Sequence, residues 1–89
     1  MQNDDILASL AMDLKRVALG LHRRSFTTAE RFTKEAGKWK SQVQVTSLKP
    51  YMQKIIAKLD DVLRDTDIER KAESALMYST LIQNYVTKG

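Results

Sequence analysis

An all-α fold, an up-down bundle of four antiparallel helices, is what this 89-residue sequence predicts. Apolar residues recur every three or four positions in four separate stretches, the mark of helices that bury one face. Short polar breaks separate the stretches, and such connections favour antiparallel neighbours. Val43 and Val45 alternate with Gln42 and Gln44, but that run is too short to argue a strand. The helices are expected over residues 5–22, 28–43, 48–64 and 68–86, within one domain spanning 1–89. A chain this short has a thin core and a stability on the order of 5 kcal/mol, so a second copy can complete the bundle.

The first helix follows from Leu7, Leu10, Leu14, Val17 and Leu21, spaced 3-4-3-4. Ala8, Ala11 and Ala18 add helix propensity and allow close approach. Asn3, Asp4 or Asp5 can cap its start, and Gly20 is a candidate stop. Extending the ladder would need apolar residues at 24 and 28, which are Arg24 and Thr28. The series restarts out of phase at Ala29, Phe32, Ala36, Trp39 and Val43. Thr27 and Glu30 have capping-box spacing just before it, predicting a second helix that begins near Thr28.

Gln44 to Lys49 reads as a connection. Pro50 suits the first turn of a third helix capped by Ser47, because an early position loses no internal hydrogen bond. Leu48, Met52, Ile55, Leu59 and Val62 make its 4-3-4-3 ladder. Arg64 to Asp67 breaks the pattern, with Thr66 and Glu69 at capping-box spacing and Asp67 an equal alternative. The fourth helix carries two stripes. One is Ile68, Ala72, Ala75, Ser79, Ile82 and Val86; the other is Tyr78, Leu81 and Tyr85, with Leu76 and Met77 outside both.

Composition removes several function classes. There is no cysteine, which rules out disulfides, thiolate metal sites and thiol nucleophiles. One histidine cannot build a three- or four-ligand zinc site. The longest apolar run, Ala75 to Tyr78, is far below the ~20 residues of a membrane span. Met1 to Leu10 starts acidic, unlike a signal peptide, so a cytoplasmic location is expected. The three glycines are scattered and form no phosphate-cradling loop. Asp65-Thr66-Asp67 is too short for a calcium loop. No catalytic residue, metal or cofactor is expected.

Charge is the more informative quantity. From Lys15 to Lys40 eight cations stand against two acids, a net +6 within a chain of net +4. From Asp60 to Glu73 six acids stand against three cations, a net −3. Such asymmetry steers an acidic partner or lets two copies complement each other. Arg31, Lys34 and Lys38, at i, i+3 and i+7, share one helix face. With Arg23 and Arg24 at its approach they form a candidate contact for nucleic acid or another polyanion. The bland reading is a solvated face stitched by Glu30–Lys34 and Arg31–Glu35 pairs. Trp39 lies on the ladder and belongs to the core on that reading.

Tyr78, Leu81 and Tyr85 suggest contact instead, since aromatic residues are common at interface centres. Packing of both stripes inside one bundle is the alternative. Arg16 and His22, spaced R-x5-H on a helical chain, resemble the arginine–histidine motif of HEPN-type ribonucleases. That family implies paired helical bundles cleaving RNA, although its motif sits in a later helix and here it closes the first. The expected function is a non-catalytic interaction module that forms a homodimer or binds another protein, with no membrane role. Polyanion binding through residues 15–40 is the runner-up, and a HEPN-like ribonuclease the remote alternative.

Overall fold

The computed structural model describes residues 2–88. Four helices make up the fold: α1 (Asn3–His22), α2 (Phe26–Gln42), α3 (Pro50–Arg64) and α4 (Ile68–Lys88), with a single 3₁₀ turn, Val45–Ser47, before α3. Neighbours in sequence are neighbours in space, and α4 closes the ring against α1. This is the expected up-down bundle.

Its packing is uneven. α1 lies tightly against α2 and α4, whereas α3 stands further off. Small residues explain the close α1–α4 seam: Ala11 and Ala18 face Ala72, Ala75 and Ser79, and the Ser79 hydroxyl donates to the Ala11 carbonyl at 2.6 Å. Toward α2 the seam uses glycine. A Cβ at Gly20 would stand 3.1 Å from the Ala29 nitrogen and 3.2 Å from its Cα and Cβ. Gly20 is thus a contact inside α1, not the stop its position suggested. The larger core cluster fills the bundle with Leu7, Leu10, Leu14, Met52, Ile56 and Leu59, and half-buried Trp39 packs against it. Val17, Leu21, Ala29, Val62 and Ala75 form a smaller one near the C-terminal end of α1.

What ends α1 is a left-handed residue. Arg24 has φ 58°, its N–H bonds the Leu21 carbonyl, and the Ser25 N–H reaches back to Gly20 at 2.8 Å. These are the paired bonds of a Schellman turn, a place usually held by glycine. An arginine there costs about 1 kcal/mol. The turn delivers the chain straight into α2 at Phe26, two residues before the expected start, so the Thr27–Glu30 capping box is not formed. Ser25 stands at the N-cap without a side-chain bond.

Other helix starts also differ from the sequence expectation. Asn3 lies inside α1 and binds Gln44 instead, accepting its N–H at 2.9 Å and donating to its carbonyl at 3.3 Å. That pair ties the start of α1 to the α2–α3 connection. Lys49, not Ser47, precedes α3, with Pro50 in its first turn. At α4 the alternative cap is the real one: Asp67 Oδ1 accepts the Arg70 N–H at 3.0 Å. No helix among the described residues is long and apolar enough to cross a membrane.

Candidate interaction surfaces

The basic residues divide into three groups. Arg31, Lys34 and Lys38 share the outer, exposed side of α2, as their spacing required. Among the described residues only Lys34 has an ion pair on that face, with Glu30 at 3.5 Å, both well exposed. Arg23 turns toward the start of α2, where Arg16, Ser25, Thr28 and Phe32 line a cleft of ≈ 300 Å³. Its neighbour Arg24 turns the other way, into a cleft with His22, Ile68, Glu69 and Glu73. The five cations between positions 23 and 38 therefore do not all face one way.

Arg16 is held from behind. Its guanidinium donates to Asp13 at 3.0 Å and lies 5.2 Å from the Phe32 ring centroid, which Arg31 also approaches at 5.4 Å. Asp13 is buried between α1 and α2, and its second oxygen, Oδ2, has no partner. Burial pushes its carboxyl pKa up and the Glu35 charge adds to this; the Arg16 and Trp39 side chains oppose them. His22 lies on the α4 side of α1, beside Ala72 and Glu73, and lines no cleft with Arg16. Six positions along a helix turn two side chains roughly 120° apart. The structure does not bring that pair together, and no cluster of metal-ligating side chains exists among the described residues.

A second aspartate–arginine pair stands at the α3–α4 connection. Asp65 takes two bonds from the Arg70 guanidinium, at 2.6 and 2.8 Å, and a third from the Asp67 N–H at 2.9 Å. The Arg70 bonds first, then the Asp67 N–H, lower its pKa to about 2. Nearby Lys71 is half-buried, and burial lowers its pKa.

The tyrosine stripe splits. Tyr78 and Tyr85 are half-buried and pack against the core. The Tyr85 hydroxyl accepts the Lys49 N–H at 3.2 Å, and its ring meets Tyr51 edge-on at 5.9 Å. Leu81 alone of the three is exposed. The apolar surface lies largely elsewhere: Met12 is 52% exposed, Leu19 40%, Leu76 48%, Met77 51% and Leu81 39%. Met12, Leu19 and Leu76 rim a cleft of ≈ 500 Å³ between α1 and α4, floored by Ala11 and Ser79. Leu19 and Leu76 also line its continuation past Ala18 and Ala72 to His22 and Glu73. Sequence reasoning missed this groove. The available signal was Met12 and Leu19, seven apart and off the α1 ladder.

No family model, no curated protein and no solved structure matches this chain.

Proposed function

We propose that this domain is a non-catalytic helical interaction module of the cytoplasm that pairs with a second copy of itself. One observation carries the reading: large apolar side chains stand in solvent on the outside of α1 and α4, around a continuous groove. Scattered single leucines need no explanation, but contiguous apolar surface marks a place where another molecule sits. Sedimentation or light scattering across a concentration series tests it. A dimer of twice the 10.2 kDa chain mass is expected; a monomer at every concentration overturns the reading.

Polyanion binding is the second reading, favoured by the exposed Arg31, Lys34 and Lys38 face of α2 and by Arg23 beside its uncapped start. Phosphate contacts weaken steeply with added salt, whereas an apolar dimer tolerates it. Binding of generic RNA at low salt that disappears in Arg31→Glu/Lys34→Glu would support this reading.

A further inference from the structure

Asp13 is a charge that the fold gains little by burying. Its side chain is 3% exposed and one of its oxygens has no partner, yet the guanidinium bonded to the other oxygen belongs to a side chain 46% exposed. Buried ion pairs are often no more stable than apolar residues of the same volume. Here the acid is sealed inside while the arginine is presented to solvent. We propose that Asp13 positions Arg16 in a binding site, and that the cleft at the α1–α2 corner holds a phosphate monoester between Arg16 and Arg23. Such a site needs neither a second copy nor the Lys34 and Lys38 face, and so goes beyond both readings above.

Local structure builds the cleft. Arg16 and Arg23 are seven positions apart, two helical turns, so they leave α1 and its C-terminal cap on one side. Leu19 and Gly20 lie between them, and Ser25, Thr28 and Phe32 complete the lining of ≈ 300 Å³. Arg16 is fixed at two points, by the bond to Asp13 at 3.0 Å and by the Phe32 ring at 5.2 Å. A guanidinium already held in place loses less freedom when it takes a ligand.

Charge and donor chemistry name the ligand class. No acid lines the cleft; Asp13 and Glu35, the carboxylates nearest to it in the α1–α2 interface, are absent from its walls. Arg23 has no ion pair among the described residues, nor has Arg31, whose guanidinium reaches the same Phe32 ring. Asp13 therefore offsets at most one of three neighbouring cations. Guanidinium forks match phosphate oxygens in pairs, and the Ser25 and Thr28 hydroxyls are further donors. A phosphate monoester carries close to two negative charges at neutral pH, enough for Arg16 and Arg23 together. Leu19 and Phe32 leave apolar wall for the organic part of the ester.

The test titrates the whole chain with inorganic phosphate and follows the arginine side-chain N–H resonances by NMR. Saturable shifts are expected at Arg16 and Arg23, and none at Arg64 or Arg70 beyond the far connection. Arg23→Gln, at an exposed position, and Arg16→Lys, which keeps the charge and loses the fork, should each weaken binding about tenfold. Lys58→Gln, removing an exposed charge from α3, should leave it unchanged. Asp13→Asn should also weaken binding and move the free-state Arg16 resonance toward that of unrestrained arginine, with circular dichroism showing the helices intact. Adenosine monophosphate should bind more tightly than inorganic phosphate. A 5′-phosphorylated oligoribonucleotide that binds better than its 5′-hydroxyl form identifies a strand end as the source of the phosphate; equal binding of the two identifies a free monoester. Full affinity in Asp13→Asn overturns its positioning role. Absence of saturable shifts at Arg16 and Arg23, or full affinity in Arg23→Gln, overturns the site.

Discussion

The α1–α2 corner and the α3–α4 connection each join two helices, and each has an aspartate–arginine pair beside it. The resemblance ends with solvent. At the first corner Gly20 is pressed against Ala29, Arg24 is held left-handed, and Asp13 is sealed inside with one oxygen unpartnered. At the second, Asp65, its side chain 12% exposed, takes two bonds from an Arg70 that is 67% exposed, and Asp67 caps the next helix. Identical chemistry therefore acts in opposite directions: burial raises the Asp13 pKa, and charge-assisted bonds lower that of Asp65. Close packing makes a corner costly to alter; local hydrogen bonding makes one cheap to alter.

The sharpest way to break the contrast is Gly20→Val. Its side chain would meet the α2 backbone at a distance that only movement of the helix relieves. A loss of about 3 kcal/mol is expected in denaturant unfolding. At Gly37, where an added Cβ meets nothing within 4 Å, alanine should instead gain about 1 kcal/mol.

Arg16→Met comes next. It strips a buried carboxylate of its partner, a change that costs 3–5 kcal/mol in fully buried pairs. Because the Arg16 side chain is 46% exposed, about 2 kcal/mol and a fall in Tm of about 10 °C are expected. Adding Asp13→Leu should return the protein to wild-type stability or above, since two apolar groups replace the pair. Arg70→Met, breaking a pair whose two side chains are both more exposed than those of Arg16 and Asp13, should shift Tm less. Equal losses at the two sites would erase the distinction between the corners.

Asp67→Ala tests the second connection where it matters most, at the cap. Loss of the bond to the Arg70 N–H should cost about 1 kcal/mol. Arg24→Gly at the first corner should do the reverse, raising stability by about 0.5–1 kcal/mol through relief of the left-handed backbone. Thermal melts of the two variants beside wild type would show opposite signs.

The gentlest probe is acid. Asp65 titrates at about 2 when folded, against an ordinary 3.8, so between those values the unfolded chain takes up the proton first. Its contribution is complete above pH 3.8 and is lost as pH falls toward 2. Asp13 runs the other way. Its folded pKa is raised above 3.8, so its contribution is complete below that value and is lost as pH rises through the folded pKa. Asp65→Asn should flatten the acid loss, and Asp13→Asn should remove the gain on acidification from neutral pH. Carboxyl carbon titration by NMR would locate both midpoints.

Much of this fold could be read from the chain. The Leu7–Leu21, Ala29–Val43 and Met52–Val62 ladders lie where the helices lie, because each such helix has one dominant buried face. Beyond its ladder, α1 is covered from two further sides. Ile6, Asp13 and Gly20, spaced by seven, turn toward α2, and Ala11 and Ala18 toward α4. A ladder reading follows one face only, so it missed buried Asp13 and misjudged Gly20. The capping box at Thr27–Glu30 failed for a different reason. The turn at Arg24 depends on a backbone angle that no side-chain pattern announces. As for the candidate surfaces, Arg31, Lys34 and Lys38 were correctly placed on one exposed face by spacing alone. Tyr78 and Tyr85 are amphipathic, with rings that pack inward while a hydroxyl finds the α3 start, and residue type could not decide their direction.

The seam between Ala11 and Ser79 also dictates an order of events during synthesis. Those residues are 68 positions apart, whereas α1 and α2 meet through a turn of three residues. A nascent chain can form the α1–α2 hairpin as soon as both helices have emerged. Its opposite side, with Ala11, Ala18 and much of the leucine ladder, must wait until the ribosome has delivered α4. Contacts between distant segments slow folding and prolong exposure of apolar surface. The most buried helix of the finished protein is thus the one left uncovered longest while the protein is being made.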